Sequence, residues 1–189
     1  MDQQDDVIAI LTTDHHEVEQ MFAELERLRG ATDEQSRSRR KDLAEQVTIE
    51  LVRHSVAEEV AVYPKVKEKV SEAEAERAKR EHAEAEQTMK RLEKLSPSDP
   101  GFEAELTTLM TEIRAHVAEE EGVMFPHMRT IFSSDELVKI GQQVTAVKKL
   151  APTRPHPSAP DSPPGNLLLG PIAGLFDRLR DAATHRGTS

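Results

Sequence analysis

Two stretches of the chain, HSVAEEVAVYP at residues 54–64 and HVAEEEGVMFP at residues 116–126, are variants of one pattern. Each has a histidine, a glutamate four residues later with a second glutamate beside it, and then an aromatic residue followed by proline. A second pair, DHHEVEQ at residues 14–20 and EHAEAEQ at residues 81–87, alternates with the first along the chain. This order predicts a duplicated helical hairpin, and therefore four main helices that pack as a bundle.

Capping residues and prolines predict where the helices begin and end. The expected helices cover residues 6–29, 37–63, 71–95, 100–125 and 133–150. Gly30 is expected to cap the first helix in a left-handed conformation, and Pro64 should interrupt the second. Ser71 and Ser133 each precede a glutamate by three residues, the signature of a capping box. Because each long helix carries an apolar seam of helical period, the predicted fold is all-α, an up-down four-helix bundle with a fifth short helix.

The distribution of proline divides the chain into three parts. Seven of the eleven prolines lie between residues 152 and 171, which predicts an extended linker. We therefore expect a bundle with its following helix at residues 1–150, a proline-rich linker at 151–170 and a short amphipathic C-terminal helix at 171–189. Docking of this last helix on the bundle is favoured, with a dimer contact or a partner contact as the alternatives.

Composition excludes several classes of function. The chain has no cysteine, so disulfides and thiolate metal sites are excluded. Its formal net charge of -10 argues against a nucleic-acid partner. No apolar run is long enough to span a membrane, and the N-terminus does not resemble a secretory signal, which predicts a cytoplasmic protein. A protein partner is left open.

Ionisable residues occupy positions of the apolar seams where aliphatic side chains would be expected. These residues are His15, His54, Glu58, His82, His116 and Glu120. A spacing of four residues puts a histidine and its following glutamate on the same face of a helix. Because burial of unpaired carboxylates costs several kcal/mol, this pattern predicts a cation among them. The duplication favours two metal ions over one.

The order His, His-x-x-x-Glu, His, His-x-x-x-Glu on four helices resembles the hemerythrin-like, or HHE cation-binding, family over about residues 5–130. The resemblance implies a non-haem centre of two iron ions. It also implies the terminal ligands His15, His54, His82 and His116 and the bridging ligands Glu58 and Glu120. At the first position His15 is preferred to His16, since His15 lies in the seam and aligns with His82.

The sequence departs from the oxygen-carrying hemerythrins in two places. Glu86 stands where those proteins have a second histidine on the third helix, so Glu86 is a candidate for the vacant iron position. The fourth helix has His-x-x-x-Glu in place of His-x-x-x-x-Asp. Both departures disfavour reversible oxygen carriage and favour redox or peroxide chemistry. Glu59 and Glu121 either orient the histidines or form a solvated face. Tyr63 lies about 180° around the helix from His54, so direct ligation by Tyr63 is not expected.

Competing interpretations differ in what they require of the histidines. Ferritin-like di-iron sites use Glu-x-x-His, and no histidine of the bundle has an acidic residue three positions before it. A structural bundle without metal, or zinc or manganese in place of iron, stays open. The sequence thus predicts a di-iron protein that handles peroxide, oxygen or nitric oxide. An enzyme that disproportionates peroxide, a binding protein without turnover and an iron or oxygen sensor are the three alternatives.

Overall fold

The computed structural model describes residues 6–155, which form helices joined by short turns and contain no strand. The helices are α1 Val7–Arg27, α2 Glu34–Ala61, α3 Tyr63–Lys69, α4 Glu72–Leu92, α5 Phe102–Glu119, α6 Phe125–Ile131 and α7 Ser134–Leu150, with a π-helical turn Glu120–Met124 between α5 and α6. The helix expected at residues 171–189 and most of the linker lie outside the described residues.

Side-chain caps define most of the helix starts. Asp33 accepts a hydrogen bond from the backbone N–H three residues on, and α2 therefore begins at Glu34, earlier than the predicted residue 37. Ser133 forms the complete capping box expected of it at the start of α7. Gly30 has a φ of 76°, which confirms the predicted left-handed residue after α1.

The two helices that carry a histidine followed by a pair of glutamates are both irregular just before their aromatic-proline pair. The second predicted helix divides at Val62 into α2 and α3, and the fourth passes through the π-helical turn before Phe125. Pro64 and Pro126 lie in the first turn of the helices that follow, where the missing N–H costs little. A wider turn or a break shifts the angle at which later side chains leave the helix. The aromatic residues therefore face a different direction from that of an unbroken helix.

The helices pack as the predicted bundle, in which α1 lies against α2, α4 lies against α5, and α2 also contacts α4. Helix α7 packs on α1 and α2. Two separate apolar clusters fill the interior, one containing Leu11 and Ala57 and the other containing Val18 and Leu51. On α1 and α2 the seam histidines fall between these clusters, so the bundle has a polar layer across its middle. None of the helices within the described residues is long and apolar enough to cross a membrane.

Candidate metal centre

Six of the seven predicted ligands converge in the polar layer. All six are buried, with at most 7% of each residue exposed: His15, His54, Glu58, His82, His116 and Glu120. Their side-chain atoms form two groups in which potential ligand atoms lie within 4.8 Å of one another. The groups are His15 with His54, Glu58 and Glu120, and Glu58 with His82 and His116. Glu58 belongs to both groups, so one carboxylate is common to the two sets of potential ligands.

The histidines form two pairs in which the Nε2 atoms face each other. The Nε2 atoms of His15 and His54 are 3.3 Å apart, and those of His82 and His116 are 3.1 Å apart. Two nitrogens bound at about 2.1 Å to one ion and at right angles around it would lie about 3 Å apart. Both observed separations are close to that distance.

A carboxylate lies against the Nδ1 atom of every one of these histidines. The four pairs are His15 with Glu121 at 2.8 Å, His54 with Asp14 at 3.1 Å, His82 with Glu59 at 3.0 Å and His116 with Glu81 at 2.8 Å. Since a carboxylate only accepts, each Nδ1–H is the donor. The Nε2 lone pairs of neutral rings then point into the layer. Two lone pairs at such a distance repel unless a proton or a metal ion lies between them.

Each buried glutamate touches a histidine of both pairs. One oxygen of Glu58, Oε2, lies 3.1 Å from His54 Nε2 and 3.3 Å from His82 Nε2. Glu120 Oε2 lies 3.4 Å from His15 Nε2 and 3.5 Å from His116 Nε2. Glu58 Oε1 and Glu120 Oε2 are buried, and neither has a hydrogen-bond partner among the described residues. Because a buried carboxylate oxygen without a donor is costly, these atoms fit a bound cation.

In the metal-free protein, burial and the neighbouring charges shift the pKa values of the side chains in this layer. Burial lowers the pKa of His54, but the negative charge of Glu58 and the hydrogen bond to Asp14 outweigh it and raise the pKa to about 10. Burial likewise opposes the hydrogen bonds from His82 to Glu58 and Glu59, which raise its pKa to about 9. Burial raises the pKa of Glu58, yet the two histidines hold it well below its ordinary value. In the metal-free protein, protons on His54 and His82 thus supply the positive charge that metal ions would otherwise supply.

These shifts predict how the stability of the metal-free protein depends on pH. The stabilising contribution of His54 and His82 is complete below their ordinary pKa of 6.5. It is lost as pH rises through the folded-state pKa of His82, about 9, and that of His54, about 10. The free energy of unfolding of the metal-free protein, measured in urea, should therefore fall between pH 6.5 and about 10. His54→Gln should make the decline shallower. A flat or rising profile in the wild-type protein would contradict this charge assignment.

Tyr63 lies at the centre of the site, although an unbroken helix would place it about 180° around from His54. Its hydroxyl oxygen is 2.9 Å from Glu120 Oε1, 3.1 Å from Glu58 Oε2 and 3.1 Å from His82 Nε2. An angle of about 100° per residue holds only along an unbroken helix, and here the chain breaks at Val62 between α2 and α3. Burial, with the charges of Glu120 and Glu58, raises the pKa of Tyr63 well above 10.

Phe125, the counterpart of Tyr63 in the repeat, takes the matching place in the other half. Its ring stacks on His15 with an interplanar angle of 4° and a centroid distance of 5.9 Å, while Tyr63 lies 5.3 Å from the His82 ring. Only one of the two aromatic residues carries a hydroxyl. The imidazoles and glutamates are therefore matched in the two halves of the repeat, but only the half with Tyr63 has a phenol hydroxyl.

Comparison with known proteins supports a cation-binding role for this layer. The sequence model of the hemerythrin HHE cation-binding domain matches residues 6–128. The chain belongs to this family. An uncharacterized hemerythrin-like protein of Schizosaccharomyces pombe is 33% identical over 135 residues, which cover 70% of this chain and 66% of that protein. A DNA nickase of Nostoc sp. is 26% identical over 139 residues, which cover 74% of this chain and only 38% of that protein.

A solved structure supports the hemerythrin-like fold. The crystal structure of a hemerythrin HHE cation binding domain-containing protein from Mycobacterium kansasii aligns with a TM-score of 0.64 at 22% identity, covering 77% of this chain and 86% of that one. The chain is thus an HHE cation-binding domain with α7 added after the residues that the family model matches.

The remaining predicted site residues lie at the margin of this hemerythrin-like centre. Glu86 is half-buried, lies outside both ligand groups, and has its carboxylate 3.4 Å from Lys90 Nζ. Its role as an iron ligand stays a prediction. His16 is exposed, whereas His15 is buried. Glu59 and Glu121, for which two interpretations were open, contact the Nδ1 atoms of His82 and His15.

Proposed function

We propose that this HHE protein binds two iron ions and acts on a small oxidant, with hydrogen peroxide as the first candidate. The observation that carries the proposal is the pair of ligand groups that share Glu58. In each group two imidazole Nε2 atoms and at least one carboxylate oxygen face a common point. Imidazole and carboxylate together suit iron, which can change its oxidation state, better than they suit calcium or magnesium.

Each side chain of the layer has a distinct role in this proposal. His15 and His54 would hold one ion and His82 and His116 the other, while Glu58 and Glu120, which contact a histidine of each pair, would serve both. When bound, the iron ions would supply the change between ferrous and ferric states that peroxide, oxygen and nitric oxide chemistry requires. The carboxylates at the Nδ1 atoms would orient the histidines, and Tyr63 would donate or accept a proton.

The surplus of carboxylates supports peroxide handling over reversible oxygen carriage. Six carboxylates surround four imidazoles: Asp14, Glu58, Glu59, Glu81, Glu120 and Glu121. Acceptors at Nδ1 make an imidazole a more basic ligand, and negative charge around a site favours the ion of higher charge. Both effects stabilise the ferric state, whereas an oxygen carrier has to return to the ferrous state in each cycle.

Tyr63 is the proton donor that this chemistry needs. Its single proton serves either Glu58 or Glu120 at any moment, because the hydroxyl lies within hydrogen-bonding distance of both. Its raised pKa keeps the phenol protonated in the metal-free protein. In disproportionation, two molecules of hydrogen peroxide give one of oxygen and two of water, and a proton has to move between the oxygens of the substrate.

The proposal is tested by loading the full chain with iron and adding hydrogen peroxide. We expect about two irons per chain and evolution of oxygen, half a mole for each mole of peroxide consumed. Metal-free protein is the control and should evolve none. Tyr63→Phe should keep two irons but evolve oxygen about 10²–10⁴-fold more slowly, the usual range for a lost acid-base group.

Other outcomes separate the alternatives. Two irons with a stable oxygenated spectrum and no evolved oxygen would indicate a binding protein without turnover. A spectrum bleached by peroxide without oxygen evolution would indicate a sensor. Zinc or manganese retained in preference to iron would contradict the proposed cofactor.

A further inference from the structure

Helix α7 lies beyond residues 6–128, the part of the chain that the family model matches, yet it packs on the two helices that supply His15, His54 and Glu58. Its buried residues Leu137, Ile140 and Val144 belong to the same apolar cluster as Leu11 of α1 and Ala57 of α2. These contacts fix the position of α7 relative to one half of the polar layer. Within the described residues, α7 makes no comparably extensive contact with α4 or α5, the helices that supply His82 and His116.

Lys148, in the last turn of α7, makes a direct connection to the site. Its Nζ atom lies 2.5 Å from Asp14 Oδ1, and the other oxygen of Asp14 accepts the hydrogen bond from His54 Nδ1 at 3.1 Å. Only 13% of the Asp14 side chain and 22% of the Lys148 side chain are exposed. Because water screens this ion pair incompletely, it is stronger than a pair on the open surface.

The other three carboxylates that accept from the histidines are held differently. Arg77 lies 3.8 Å from Glu81 and also pairs with Glu119 at 2.7 Å. Glu59 and Glu121 have no lysine or arginine within ion-pair distance among residues 6–155. Within residues 6–155, Asp14 is therefore the one acceptor that a close cation both fixes in place and neutralises.

We propose that Lys148 is a positioning residue of the metal centre, which holds Asp14 in place and through it orients the ring of His54. Helix α7 is then part of the site, and the two metal positions are inequivalent. This inference rests on the proposed function for its metal-bound form. The physical reason is that the acceptor at Nδ1 sets the tautomer and the plane of a ligating imidazole. Lys148 removes the rotational freedom of that acceptor and part of its negative charge.

The test compares three full-length variants with the wild type. Lys148→Met removes the charge and keeps the length of the side chain, and Lys148→Arg restores a cation. The matched control is Lys69→Met, which removes another lysine that bridges α3 to α7, through Glu136 at 2.8 Å, without touching an acceptor carboxylate. Each iron-loaded protein is challenged with a chelator while iron release is followed, and its Mössbauer spectrum is recorded.

Release of one of the two irons should become about tenfold faster in Lys148→Met, the lower end of the effect of outer-shell changes, while the other iron is unaffected. One of the two Mössbauer doublets should shift. Lys148→Arg should restore the rate, and Lys69→Met should lower the Tm without changing either readout. Unchanged release in Lys148→Met, or an equal acceleration of both irons, would overturn the proposal.

A metal-free readout keeps this inference separate from the proposed function. In metal-free protein the Nδ1 proton of His54, assigned with His54→Gln, should give an NMR signal that exchanges slowly with solvent in the wild type and in Lys69→Met. It should exchange about tenfold faster in Lys148→Met, because the acceptor is released. A wild type that retains fewer than two irons would end the di-iron proposal. An unchanged His54 exchange rate would end this one.

Discussion

Replacing Glu58 with alanine is expected to leave a protein that no longer holds a pair of irons. Glu58 is the one residue common to both ligand groups, and it is fully buried. Its loss removes a ligand from each metal position, so we expect iron affinity to fall by more than the about 10–100-fold seen when an outer-shell partner is lost. Iron per chain and the magnetic coupling between the irons are the measurements.

Two further variants make the Glu58 result specific. Glu50→Ala is the matched control, since Glu50 lies about two turns earlier on α2 and, among the residues that the structure describes, pairs with Gln46 and Arg53 near the surface. It should bind iron as the wild type does. Glu58→Gln keeps the volume and removes the charge, and it should lose the coupled pair as well. Two coupled irons in both Glu58 variants would show that this residue does not bridge them.

Removal of the metals should cost a large part of the stability of the fold. The iron ions bind the folded chain only, so at free metal about 1,000 times Kd they contribute about 4 kcal/mol. A chain of this length changes its Tm by about 2–4 °C for each kcal/mol, which predicts a fall of about 8–16 °C after chelation. Differential scanning calorimetry of the loaded and chelated protein measures this fall.

The difference between loaded and metal-free protein should widen as pH rises. Protons on His54 and His82 partly replace the metals at neutral pH. The proton on His82 leaves as pH approaches about 9, and the proton on His54 leaves as pH approaches about 10. The loaded protein does not depend on those protons, because its imidazoles are neutral ligands. A Tm that is unaffected by chelation at every pH would indicate that the buried layer is satisfied without a cation.

The residues at seam positions explain why most of this site could be predicted from the sequence. Helical periodicity places His15, His54, His82 and His116 in the interior whatever the details of packing, and the spacing of four adds Glu58 and Glu120. Their burial and convergence depend only on the period of the α-helix and on four helices facing one centre. Capping residues gave the helix starts to within a few residues for the same local reason.

Tyr63 shows where the periodic argument ends. Its position depends on the break at Val62, and one residue of irregular backbone changes the direction of every later side chain. The sequence did contain a signal, since an aromatic residue precedes proline at the same place in both halves of the repeat. That signal indicated a shared role for Tyr63 and Phe125 without indicating its direction.

The sequence also did not predict which carboxylate contacts which histidine across neighbouring helices. Asp14 precedes His15 in the chain but contacts His54, and Glu81 precedes His82 but contacts His116. Lys148 is 134 residues from Asp14. Such contacts depend on how far neighbouring helices are rotated and shifted against each other, which the apolar pattern of each helix alone does not determine.

Anomalous diffraction at the iron absorption edge, on crystals of the iron-loaded protein, is the most direct test of the claim that two irons are held in this layer. Two peaks about 3.5–4 Å apart are expected, one beside the His15–His54 pair and the other beside the His82–His116 pair. A single peak, or peaks only at carboxylates on the surface, would contradict it.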